Sequence, residues 1–121
     1  MYFRYYNANP LGRNVNDCTI RAISLATGRT WEDTYKLLAE YGCEKGITFS
    51  EVDFINDFLA DRYKRYCLPP QAKTVRDFLD MKLKGRWLIT MNGHITCVID
   101  GILYDTFDCS DRYIWCVYEI I

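Results

Sequence analysis

The spacing of apolar and polar positions changes once along this chain, near residue 86. Before that point apolar residues recur at helical intervals. In residues 17–27, Ile20 and Ile23 form one stripe and Ala22, Leu25 and Ala26 a neighbouring one, and the run stops at Gly28. Glycine is a common helix stop because it enters the left-handed region without a steric penalty. Three later segments each open with a threonine followed three residues on by an acid: Thr30 and Asp33, Thr48 and Glu51, Thr74 and Asp77. That spacing lets hydroxyl and carboxylate satisfy the first free amides of a helix. Helices are therefore predicted over TYKLLAEYG, VDFINDFLADR and FLDMKLKG, with RYKRYCLPPQAK between the last two as a short strand entering a Pro-Pro loop.

From residue 86 the runs RWLITMNG, HITCVI, ILYDTF and RYIWCVYEII are β-branched and aromatic, separated by Asn-Gly, Asp-Gly and CSD turns. They predict antiparallel strands. Helices first and strands last give an α+β class: one domain over residues 1–121, with N-terminal helices packed on a C-terminal antiparallel sheet. Taking Asp100-Gly101 as a two-residue turn pairs Ile99 with Ile102, Val98 with Leu103, Cys97 with Tyr104, Thr96 with Asp105 and His94 with Phe107. Side chains alternate along a strand, so His94, Thr96, Asp105 and Phe107 share a face. Asp105 becomes the diagonal neighbour of His94. A slip of one residue would part them. The last run, IWCVYEII, reads either as a buried central strand or as an edge open to pairing.

Composition narrows the function. Half of the 121 residues are hydrophobic and a quarter charged, enough for one core. A formal net charge of −1 argues against electrostatically driven nucleic-acid binding, and the basic runs RYKRY and KLKGR fit solvated edges. No stretch has the length of a membrane span, and MYFRYYNANP lacks the apolar core of a signal peptide. A cytoplasmic protein with no membrane partner is expected, its six cysteines reduced. There is no CxxC, and the single histidine lies three residues from Cys97, on the opposite face of a strand. No metal site and no cofactor are expected.

The candidate chemistry begins at Cys18, which follows NVND at the start of the first helix. A thiolate there gains from unpaired amides and the positive end of the helix dipole. His94 with Asp105 beside it supplies the other parts of a thiol hydrolase: a base for the thiol proton and an acid to orient the ring. The oxyanion of acyl transfer needs two donors. The Cys18 amide is one, and the side chain of Asn14 or Asn16 the other. Asp17 reads as an N-cap or as the partner of Arg21 one turn on.

An early cysteine at a helix start, a late histidine on a strand and an aspartate on the next strand resemble the papain-like cysteine peptidase fold. More closely, DCTIRAIS with a following Trp31, and GHITCVIDGILYDTFDCSD, resemble small uncharacterised C39-peptidase-like proteins of bacterial phages and prophages. The resemblance implies Cys18 as nucleophile, His94 as general base and acid, Asp105 as orienter, and a peptide or protein substrate. Where the family carries a glutamine about six residues before the cysteine, this chain has Gly12, so Asn14 or Asn16 would stand in on a shorter loop.

Function thus divides three ways. A hydrolase would cleave a peptide, isopeptide or related amide through a Cys18 thioester. A catalytically inactive papain-like domain would act as a binding module. An acyl transferase would pass the thioester to an amine. The other cysteines, Cys43, Cys67, Cys97, Cys109 and Cys116, read as core residues, as do Trp31, Trp87 and Trp115, with Asp108 as a fallback acid at the end of the hairpin.

Overall fold

The computed structural model describes residues 1–49, 51 and 53–121. Its helices are α1 (Cys18–Thr27), α2 (Trp31–Lys45), α3 (Phe54–Arg62) and α4 (Val75–Asp80), and its strands β1 (Phe3–Tyr5), β2 (Lys64–Tyr66), β3 (Arg86–Met91), β4 (His94–Ile99), β5 (Ile102–Asp105) and β6 (Cys116–Ile120). α1 ends at Gly28, whose φ of 74° is the left-handed stop expected from the sequence. At α2 the Thr30 hydroxyl accepts from the Asp33 amide at 3.0 Å. At α4 the box is reciprocal: Thr74 Oγ1 accepts from the Asp77 amide and Asp77 Oδ2 from the Thr74 amide.

The third helix departs from its expected start. The Glu51 amide bonds to the Thr48 carbonyl and the Phe54 amide to that of Glu51, and α3 begins only at Phe54. Val52, the first residue of the expected helix, lies outside the described residues, as does Ser50.

All ten elements belong to one α+β arrangement, but the sheet is mixed rather than antiparallel. Its order is β1-β5-β4-β3-β6-β2, and β1 pairs parallel to β5, Tyr5 opposite Asp105. β6 runs in the interior between β3 and β2, which decides the reading of IWCVYEII. The Asp100-Gly101 turn takes φ of 50° and 80°, the two positive values of a type I′ hairpin. Cys97–Tyr104, Val98–Leu103 and Ile99–Ile102 pair as expected, and the ladder ends there.

The helices do not all lie on one face. Leu88, Ile95, Cys97 and Tyr118 pack with α1, α2 and α3, whereas Trp87, Ile89, Val98 and Val117 pack with Val75, Phe78 and Leu79 of α4. Both faces are covered, which explains why β3 and β4 are nearly continuous apolar runs. The core readings of Cys97 and Trp87 agree with their burial. Cys43 and Cys67 are exposed, and Trp115 precedes β6 with 54% of its surface open, so those three are not core. Among the described residues, no helix is long and apolar enough to cross a membrane.

Candidate active site

The site forms where the first turn of α1 meets the start of β4. The loop before α1 is tied down by its own amides. Asn9 Oδ1 accepts from the Leu11 and Arg13 amides, Asn7 Nδ2 donates to the Arg13 carbonyl, and Asn9 Nδ2 donates to Asp17 Oδ2 at 3.1 Å. Asp17 occupies the N-cap position, yet its carboxylate does not cap the helix. It accepts instead from Arg21 Nε at 2.7 Å and from Trp31 Nε1 at 2.9 Å. Burial would raise the Asp17 pKa, but the bonds from Trp31, Arg21 and Asn9 outweigh it and hold the group below its usual value. The first-turn amides of α1, beside Cys18, are left without a side-chain cap.

Arg21 reaches further, its Nη1 lying 3.3 Å from Asp105 Oδ1 and 3.2 Å from Thr106 Oγ1. It joins two buried carboxylates. On the other side, Asp105 Oδ2 lies 2.7 Å from His94 Nε2. The His94 ring sits 4.8 Å from Phe107, centroid to centroid, so the face deduced from the hairpin register persists past the last ladder pair. Beneath the pair, the Cys109 thiol contacts Asp105 Oδ2 at 3.7 Å.

Burial pushes the His94 pKa down, but the bonds to Asp105, Cys109 and Cys18 more than reverse this and raise it to about 11. Burial likewise works against ionisation of Asp105, and the His94 and Thr96 bonds overcome it to keep the carboxyl low. For Cys18 desolvation again opposes charge, and the hydrogen bond and positive charge of His94 prevail, lowering the thiol. Cys97, buried without such a partner, is pushed up to about 12. With Nε2 engaged by Asp105, Nδ1 is the ring nitrogen left for the thiol. A thiolate–imidazolium–carboxylate line, backed by Arg21, is the state this geometry favours.

Cys18 and His94 open on a cleft of about 360 Å³, with Asn16, Asn56, Met91 and Trp115 in its walls. Asn14 lies exposed on the approach loop and is not in that lining. Of the two amides expected as the second oxyanion donor, Asn16 is the one that lines the same cleft as Cys18. Asp108 is engaged elsewhere, by the Tyr2 hydroxyl.

His94, Asp105 and Cys109 offer ligand atoms all within 4.8 Å of one another and are the residues that could hold a metal. The 2.7 Å between His94 Nε2 and Asp105 Oδ2 is nevertheless a hydrogen-bond distance, shorter than the roughly 3.3 Å between two ligands of a tetrahedral zinc. The expectation weighed His94 against Cys97 alone and missed Cys109, whose thiol, with three residues between it and Asp105, lies 3.7 Å from Asp105 Oδ2.

Sequence reasoning also missed Asn9 and Trp31 as holders of Asp17, Arg21 as a contact of Asp105, and Asn56 and Trp115 as cleft walls. The i,i+4 spacing of Asp17 and Arg21 was the one local signal. No protein family, no curated protein and no solved structure matches the chain.

Proposed function

We propose that this chain is a papain-like thiol hydrolase that cleaves a peptide, isopeptide or related amide through a thioester on Cys18. The observation that carries the reading is the buried His94–Asp105 contact of 2.7 Å, set behind a thiol whose ionisation His94 favours. The Cys18 Sγ attacks the acyl carbon, and the oxyanion takes bonds from the Cys18 amide and the Asn16 side chain. His94 passes its proton to the leaving amine as the C–N bond breaks. It then removes a proton from water, whose oxygen attacks the thioester and returns Cys18. Asp105 fixes the ring and stabilises its charged form. A site that depends on a free thiolate calls for a reducing compartment, and we place the protein in the cytoplasm.

The test is the pH dependence of iodoacetamide alkylation at each cysteine, read by mass spectrometry. Cys18 is expected to react well below pH 8 and faster than exposed Cys43, because the thiolate is the nucleophile. In His94→Ala its rate at about pH 7 should fall roughly ten-fold or more, one unit of pKa being a factor of ten. A Cys18 as slow as Cys43 in the wild type defeats the proposal.

A further inference from the structure

The lining of the cleft beside Cys18 is poor in charge for a chain a quarter of whose residues are charged. The sequence carries fifteen Lys and Arg and sixteen Asp and Glu, yet among the described residues none of them lines this cleft, and Cys18 and His94 are the titratable groups in its lining. Ile55, Met91, Ile95 and Trp115 give it apolar wall, and asparagines and threonines supply the rest. A charged group placed against that wall would give up water and meet no counter-charge apart from the catalytic pair itself. An uncharged chain would lose little and gain the aromatic face of Trp115, which is 54% exposed.

One residue of this wall carries an unmatched polar atom that is closed to solvent. Among the described residues, Asn56 Oδ1 is the buried side-chain oxygen or nitrogen without a hydrogen-bond partner. Native proteins satisfy nearly all such groups, so an orphan acceptor is either a cost or a reserved contact. Asn56 sits on α3 and lines the cleft together with Ile55, Met91 and His94. An acyl group bound for attack by Cys18 enters the same space.

We infer that the cleft selects an uncharged acyl segment with an apolar side chain, and that the Asn56 amide turns its buried oxygen toward the cleft to accept a hydrogen bond from one of the segment's N–H groups. This rests on the thiol-hydrolase reading and adds the substrate class to it. Asn56 is on this account a binding residue, with no part in proton transfer.

The test uses peptidyl fluoromethyl ketones, in which the Cys18 thiolate forms an S–C bond and fluoride leaves. Three ketones differ only in the residue that carries the ketone: leucine, glutamate or lysine. Each inactivation rate is divided by the iodoacetamide rate of Cys18 in the same preparation, so that thiol activation cancels. The leucine ketone is expected to exceed the other two at least ten-fold, and Asn56→Leu to lower its normalised rate five-fold or more. Asn56→Leu should also melt no lower than wild type, because it removes an unpaired buried acceptor. A merely structural Asn56 would lower the melting temperature and leave the normalised rate in place.

Equal rates for the three ketones, or an unchanged leucine rate in Asn56→Leu, overturn the inference while the hydrolase reading stands. A Cys18 no faster with iodoacetamide than Cys43 removes that reading, and this inference with it.

Discussion

Arg21 is the residue on which the two buried carboxylates of the site converge. Its side chain is 11% exposed, and those of Asp17 and Asp105 are 5% and 3%, so solvent screens these pairs little. Removing one partner of such a pair strands the other charges, which costs far more than the net worth of the pair. Arg21→Met is expected to destabilise the fold by about 3–5 kcal/mol, measured from urea midpoints at neutral pH. Asp17→Asn keeps an acceptor for Trp31 and Asn9 and should cost less. The sequence made Cys18, His94 and Asp105 legible because each announces itself locally, by a helix start or by hairpin register. It showed Arg21 only as the i,i+4 partner of Asp17, since Asp105 lies 84 positions away. Cys109 was hidden for another reason: a buried cysteine reads as core, and only the fold places its thiol against a carboxylate.

At the scale of elements, legibility followed local chemistry. α1 was readable at its stop, α2 and α4 at their threonine caps, and the β4–β5 hairpin at Asp100-Gly101. α3 was misplaced at its start because Thr48 and Glu51 carry the capping spacing while their backbone bonds form a turn instead. β1 went unseen because MYFRYYNANP has no period-two alternation and its partner β5 is far along the chain. The end of α2 shows a further constraint. After Lys45 the chain folds back, and the Ile47 amide bonds to the Gly42 carbonyl at 2.9 Å. A Cβ on Gly42 would stand 2.7 Å from the Ile47 oxygen and 3.3 Å from Phe54 Cε2. Alanine would add about 1 kcal/mol of helix propensity, but overpacking costs about 1–3 kcal/mol. Gly42→Ala should therefore lower stability on balance, by about 1 kcal/mol, in thermal or urea unfolding.

For the molecule as a whole, the site shapes how stability depends on pH. His94 is raised from 6.5 to about 11 and Cys18 is lowered from 9.0. At about pH 7.5 the unfolded chain keeps the thiol proton and leaves most imidazole neutral. In the fold the ring holds its proton and the thiol gives its own up more readily than in the unfolded chain. Uptake at one group is offset by release at the other, so stability varies less with pH than the ring alone would make it. Cys18→Ala removes the thiol proton from the unfolded chain while Asp105 still holds the ring charged. The fold then binds the extra proton, and stability falls as pH rises from about 6.5 towards the raised ring value, by up to about 1.4 kcal/mol per pH unit. Urea midpoints over about pH 7–8.5 should decline more steeply in Cys18→Ala than in wild type. Equal slopes would mean that the thiol keeps its proton. The parallel pairing of β1 with β5 carries a consequence in time. Phe3 leaves the ribosome before Leu103, its partner, which follows roughly a hundred residues later, some 5–20 s at ordinary rates of synthesis. Cys18 waits almost as long for His94 and Asp105. A nascent chain that has not yet reached Asp105 holds a thiol without its base, and so the enzyme we propose stays silent until the β4–β5 hairpin has been made.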